Sequence, residues 1–249
     1  MPPAACKSEI SFHFQRPFDV STSNGGQVQK AIADDYRDEG GIYFSQEGED
    51  ILLQRLFSHQ KSGFSVDVGA HHPKRFSNTY ALYRQGWRGI NIDATPGSMG
   101  PFKELRPEDL NLECGVSLHE GEMPFYEFED PALNTFSRAR YEYLIANTPY
   151  KLKQILKVKT KKLSSILEEH VPANKKIDLL TIDVEGLDFE ILKSNTWERF
   201  SPKVLLIEAL DQNIQTLERS ELGTFLKSKG YSIFAKTYNT AFFILGRTV

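Results

Sequence analysis

The sequence predicts an α/β fold of three layers, with a mostly parallel seven-stranded sheet between helices and an antiparallel hairpin at its C-terminal end. Three observations predict it. Short apolar runs at 64–68, 89–93, 177–183 and 204–208 alternate with amphipathic stretches, the rhythm of βα units. Val204-Leu205-Leu206-Ile207 is apolar throughout, as a strand covered on both faces must be. Finally, Tyr231–Ala235 and Ala241–Leu245 flank Tyr238-Asn239-Thr240, which reads as the turn of a closing hairpin.

Size and composition suit that architecture. A chain of 249 residues allows one domain plus an arm. A 40% hydrophobic, 25% charged composition is that of an ordinary globular protein. The net charge of −3 argues against a nucleic-acid partner, which calls for a basic face. Cys6 and Cys114 stand too far apart for a metal or redox motif, and Cys114 reads as a structural thiol in a strand. No apolar run approaches the ~20 residues of a membrane span. The N-terminus does not read as a secretory leader, so a cytoplasmic protein is expected.

Residues 1–42 read as an arm, rich in Pro, Ser and Gly. Its Ile10, Phe12, Phe14 and Phe18 need cover, from the domain itself or from a second copy in a homodimer. The domain then runs over 43–249. Gln46–Asp50 leads into an amphipathic helix at 51–57, with acids in the first turn where they suit the helix dipole. Strand 64–68, a helix near 77–86, strand 89–93, a helix near 98–106 and a third strand at 110–117 follow. An insertion around 118–157 interrupts the rhythm, with a strand at Met123–Phe128 and a polar, aromatic, basic run from Phe136 to Gln154. Val158–Thr160 reads as an edge strand, Leu163–Leu167 as part of a helix and 218–229 as one helix ended by Gly230.

The first two strands indicate the ligand. Phe64-Ser65-Val66-Asp67-Val68 runs into Gly69-Ala70, small residues that let the backbone approach a ligand closely. Gly89-Ile90-Asn91-Ile92-Asp93 ends in a second acid about 25 residues on, near the spacing at which nucleoside-binding folds hold a ribose. The glycine fingerprint of a dinucleotide's pyrophosphate is missing, because His71, His72 and Pro73 follow Ala70. A ribose acid without that loop favours S-adenosylmethionine over NAD. An NAD-dependent sugar oxidoreductase or epimerase is one alternative; a catalytically silent interaction module is the other.

Acids also end the later strands: Asp183, with Glu185 two residues on, and Glu208. Carboxyl ends of parallel strands share one rim, so these groups converge with Asp67 and Asp93 and raise one another's pKa. Asp183 and Glu185 flank a turn where they can take a substrate proton or ligate a divalent ion such as Mg²⁺. The plainer alternative has Asp183 capping the helix at 187–194 and Glu185 exposed. His71 and His72 titrate near neutrality, and one of the two can face a ligand.

Taken together, Ser45–Asp50, Val66–Pro73, Ser77-Asn78-Thr79, Gly86–Asp93 and Leu180–Gly186 resemble the FkbM family of S-adenosylmethionine-dependent O-methyltransferases. The resemblance spans about residues 43 to 210 and implies a Rossmann-like class I methyltransferase fold with strand order 3-2-1-4-5-7-6. It implies an acceptor hydroxyl on a sugar, a glycan, a glycolipid or a polyketide-type product. Carried over by position, Asp67, Gly69, Ala70 and His71 would hold the methionine part of the donor, with Ser77 and Asn78 lining the same pocket. Asp93 and Ala94 would hold the ribose, and Val116 and Ser117 would flank the adenine. Asp183 and Glu185 would face the methyl group and acceptor, with His72 and Glu208 as further candidate bases. His72-Pro73 departs from the family's second glycine, and nothing family-wide matches Phe136–Gln154.

Overall fold

The protein was analysed as a computed structural model, which describes residues 42–210 and 212–246. The expected arm therefore lies, except for Ile42, outside the described residues. The chain runs α1 (Glu49–Leu56), β1 (Phe64–Val68), α2 (Tyr80–Arg84), β2 (Arg88–Asp93), α3 (Met99–Leu105) and β3 (Leu110–Glu113). After these come β4 (Gly115–Val116), β5 (Gly121–Phe128), a 3₁₀ turn (Pro131–Leu133), α4 (Arg138–Asn147) and β6 (Leu152–Lys161). The last part is α5 (Leu163–His170), β7 (Leu179–Ile182), α6 (Asp188–Lys193), β8 (Val204–Glu208), α7 (Ile214–Arg219), α8 (Glu221–Ser228), β9 (Tyr231–Lys236) and β10 (Thr240–Leu245).

Seven strands form one sheet in the order β3-β2-β1-β7-β8-β10-β9, the order expected. The first five lie parallel, and β10 runs antiparallel to β8 and β9. In register, Val66 stands beside Ile90 on one side and Leu180 on the other, and Leu180 stands beside Leu205. The alternation of strand side chains sends Val66, Val68, Leu180, Ile182, Leu205 and Ile207 to a core shared with Leu163, Ile166, Leu167, Ile191 and Leu192. Leu179, Leu206 and Phe242 point the other way, against Leu53, Phe57, Leu82 and Trp87. Those two cores make the three layers. No helix among the described residues is long and apolar enough to cross a membrane.

Three expectations need correction. The third strand does not run unbroken over 110–117: it stops at Glu113, and Gly115–Val116 pairs with Thr160 and Lys161 instead of continuing the main sheet. Val158–Thr160 is not an edge strand of that sheet. It belongs to β6, the centre of a separate three-stranded sheet in the order β4-β6-β5. The helix at 218–229 is two helices hinged at Ser220, whose Oγ accepts from Gly223 N while a side chain at Gly223 would meet the Leu217 carbonyl at 2.1 Å. The acids expected in the first turn of α1 are there, as Glu49 and Asp50, and both are buried. Asp50 accepts from Ser45 Oγ and Phe44 N, and Glu49 accepts from Thr237 Oγ1 on the C-terminal hairpin.

Candidate active site

A cavity of about 390 Å³ opens at the carboxyl rim of β1, β2 and β7, and the insertion roofs it. That volume is within the usual range for a small-molecule site. Its floor carries Val68, Gly69, Asp93, Ala94 and Asp183–Glu185; its roof carries Phe125, Asp130–Phe136 and Tyr150. Seven of the expected site residues line it: Gly69, His71, Asp93, Ala94, Val116, Asp183 and Glu185.

At one end Asp93 is held by two backbone donors, His71 N to Oδ2 at 3.0 Å and Thr95 N to Oδ1 at 2.7 Å. Each oxygen keeps a lone pair toward the cavity, so the carboxylate is oriented without being saturated. Gly69 sits at φ +80°, where a Cβ would lie 1.7 Å from the Asp183 carbonyl oxygen. The neighbouring strand therefore demands glycine here, before any ligand is considered. Cys114 is half-buried and lines the cavity, and burial raises its thiol pKa, so it stays protonated.

The other end is acidic. One carboxylate oxygen each from Asp183, Asp188 and Glu208 lies within 4.8 Å of the others. Asp183 is open to the cavity although protein surrounds it. Burial, followed by the charges of Asp188, Glu185 and Asp67, raises its pKa well above the usual 3.8. Burial, followed by the charges of Asp183, Glu185 and Asp188, pushes Glu208 up to about 10, partly offset by Arg140. Asp188 is raised by burial to about 6 and accepts from Val184 N and Gly186 N, both at 3.2 Å. Those bonds bracket Glu185, a non-glycine residue at φ +54°. Glu185 is gripped from the roof as well: Arg140 Nη2 reaches its Oε2 at 2.8 Å, and Thr135 Oγ1 donates to its carbonyl at 2.9 Å. Burial raises the Glu185 pKa, and Arg140 opposes the rise.

Several expected residues stand elsewhere. Asp67 is buried behind the cavity, accepting from Thr79 Oγ1 at 2.7 Å; Arg106 Nη1 donates to that same hydroxyl, and burial lifts Asp67 to about 6. Ala70 packs on Met99 and Phe102. Ser77 Oγ accepts from Tyr80 N at the start of α2, and Asn78 Nδ2 donates to Thr181 Oγ1. Ser117 is buried and bonded to the His119 backbone. His72 Nδ1 accepts from Lys74 N and Arg75 N, which leaves the proton on Nε2 and makes the ring a poor general base. The pair expected to hold Mg²⁺, Asp183 and Glu185, does not converge, because Glu185 turns to Arg140. The nearby trio is also partly committed, with Asp188 holding two backbone amides.

Two residues escaped the sequence reading. Asp188 left a faint signal, an acid at a helix start five residues beyond Asp183. Arg140 lay in the basic Phe136–Gln154 run, a place for substrate contacts, but nothing in that pattern pointed to its partner Glu185.

Residues 67–233 match the model of the methyltransferase FkbM domain. No curated protein matches the chain. Among solved structures it is similar to a TehB-like SAM-dependent methyltransferase from Corynebacterium glutamicum, at 12% identity and TM-score 0.41, covering 89% of this chain and 96% of that one. It is similar also to a precorrin-6y C5,15-methyltransferase from Geobacter metallireducens, at 13% identity and TM-score 0.40, covering 85% and 93%. A third is a TDP-rhamnose 3'-O-methyltransferase of calicheamicin biosynthesis, at 12% identity and TM-score 0.39, covering 80% and 78%.

Proposed function

Since the chain belongs to the FkbM family of S-adenosylmethionine-dependent methyltransferases, we propose that it methylates a hydroxyl of a small polyhydroxylated acceptor, of the sugar class. Membership sets aside the oxidoreductase alternative. The observation that carries the finer reading is Asp183, a carboxyl open to the cavity and backed by Glu208 and Asp188. Around it the lining mixes Asp130, Asn134, Thr135 and Arg75 with the rings of Phe76, Phe136 and Tyr150. That mixture of hydrogen-bonding groups and flat apolar faces suits a sugar.

The donor contributes an electrophilic methyl group on a sulfonium cation. The residues fit it: Asp93 has lone pairs free for ribose hydroxyls, Val116 and Phe125 offer an apolar slot, and the acid-rich floor suits a positive charge. In its ionised form, a stronger base for the raised pKa, Asp183 takes the proton that the acceptor hydroxyl must lose. Glu208, protonated at neutral pH, keeps a further negative charge off its neighbour. Holding the hydroxyl in line accounts for most of the rate, since orientation alone can supply ~7–11 kcal/mol.

Calorimetric titration with S-adenosylmethionine tests the donor site. Asp93→Ala should weaken binding at least about 10- to 100-fold, the worth of about one charged hydrogen bond, while Asp183→Asn stays within a few-fold of wild type. In a panel of sugars, Asp183→Asn should then lower methyl transfer by about 10²–10⁴. Absence of donor binding, or methylation of nitrogen or carbon instead of oxygen, overturns the reading.

A further inference from the structure

Residues 151–162 hold six lysines and no acid, in a chain whose net charge is −3. The register of β6 sorts them. Lys153, Ile155, Lys157, Lys159 and Lys161 all point outward, while Leu156, Val158 and Thr160 point inward. At ~3.3 Å per residue this outward row is about 27 Å long. The inward face looks to the cavity, because Phe125 stands opposite Leu156 and lines it. The outward face is thus the back of the cavity roof.

Counter-charges cover only part of the row. Lys153 pairs with Glu127, Lys161 with Glu169, and Glu122 stands across the strand pair from Lys159. Opposite Lys157 stands Pro124, which carries no charge, and Lys157 has no ion pair among the described residues.

The row is also not purely polar. Ile155 is 54% exposed between Lys153 and Lys157. It stands opposite Tyr126, whose ring stacks on Tyr141 of α4 at 4.3 Å. Elsewhere in the insertion Tyr143 and Ile145 of α4 are exposed, and Tyr150 is exposed while also lining the cavity. A face meant only for water, or for a soluble polyanion, has no use for these apolar groups. Lysines interleaved with exposed apolar and aromatic residues suit the headgroup region of an anionic bilayer, where each cation gains electrostatic energy and each apolar side chain is buried.

We infer that the outer face of the three-stranded sheet, with Lys157, Lys159 and Ile155 at its centre, docks on an anionic membrane surface. The cavity roofed by this sheet then works beside the bilayer, so its acceptor is a lipid-borne hydroxyl compound; this second step rests on the methyl-transfer reading, and the docking itself does not.

Co-sedimentation of the full chain with vesicles of phosphatidylcholine, alone or mixed with phosphatidylglycerol, tests the docking. The protein should sediment with the mixed vesicles and not with the neutral ones. The double change Lys157→Glu with Lys159→Glu should weaken this at least about tenfold, and Ile155→Asp should weaken it too. All these side chains are exposed, and unchanged calorimetric affinity for S-adenosylmethionine would report an intact fold. No sedimentation, or equal sedimentation with both vesicle types, overturns the proposal. So does full binding by Ile155→Asp alongside loss by the lysine variant, since that marks a receptor for soluble polyanions. Docking lost with donor binding kept refutes this inference alone; donor binding absent with docking kept refutes the methyl-transfer reading alone.

Discussion

A single methyl group at position 69 would collide with the chain that carries the acids. The φ of +80° already disfavours a side chain, and the Asp183 carbonyl lies where the Cβ would go. Gly69→Ala should therefore cost about 3 kcal/mol or more of stability. Gly97 is the internal control: its φ is +83° but no atom lies within 4 Å of a built Cβ. Gly97→Ala should cost only the left-handed backbone penalty, about 1 kcal/mol. Urea denaturation of both variants separates steric collision from backbone strain; equal losses would refute the steric account. At this scale much was legible. Gly69 and Asp93 announce themselves because glycine after a strand and acid at a strand end are uncommon and chemically pointed. Asp67, Ser77 and Asn78 share the same motifs but serve the packing behind the cavity, a distinction that depends on side-chain direction and lies beyond what a linear pattern records.

The turn between β7 and α6 is the element on which the acids depend. Asp188 holds it from below through Val184 N and Gly186 N, and Arg140 and Thr135 hold Glu185 from above. Arg140→Ala removes the cation beside Glu185, whose carboxyl should then titrate higher. At pH 5 Glu185 can protonate and the loss should be small; at pH 8 an unpaired charge is left beside Asp183, with a cost of about 1–2 kcal/mol for this part-buried pair. Denaturation at the two pH values checks it, and equal losses would refute it. The main-sheet elements were legible because their strands are dense apolar runs with acids at their ends. Within the insertion the strand at Met123–Phe128 was legible, but the full length of β6 was not, because it alternates lysine with modest apolar residues. Its pairing with β4 and β5 depends on long-range register, which local pattern does not encode. Ser220 likewise hides a hinge inside what looks like one continuous amphipathic helix.

For the whole molecule, buried carboxyls set the response to pH. Asp67 and Asp188, raised from 3.8 to about 6, favour the folded state while protonated. Their contribution is complete below pH 4 and lost as pH rises through 6. Glu208, raised from 4.5 to about 10, extends the decline into the alkaline range. Thermal denaturation should thus show Tm falling most steeply between pH 4 and 6 and continuing to fall, less steeply, up to about pH 10. Glu208→Gln, which resembles the protonated acid but needs no proton on folding, should leave Tm at pH 4 nearly unchanged, raise it at pH 7 and abolish the alkaline part of the decline. A variant that still loses stability toward pH 10 as wild type does would locate the titrating group elsewhere.

The grip of Arg140 and Thr135 on Glu185 also bears on how such a protein can diversify. On the proposed reading, the segment best placed to read an acceptor is bonded, by side chain and by backbone, to the turn that would carry the chemistry. Recognition and reaction are therefore not separable modules. A chimera that exchanged residues 130–147 for a foreign segment would import a new specificity only if that segment brought its own cation and hydroxyl to the same two atoms of Glu185. Without them, the graft would disarm the acids it was meant to redirect.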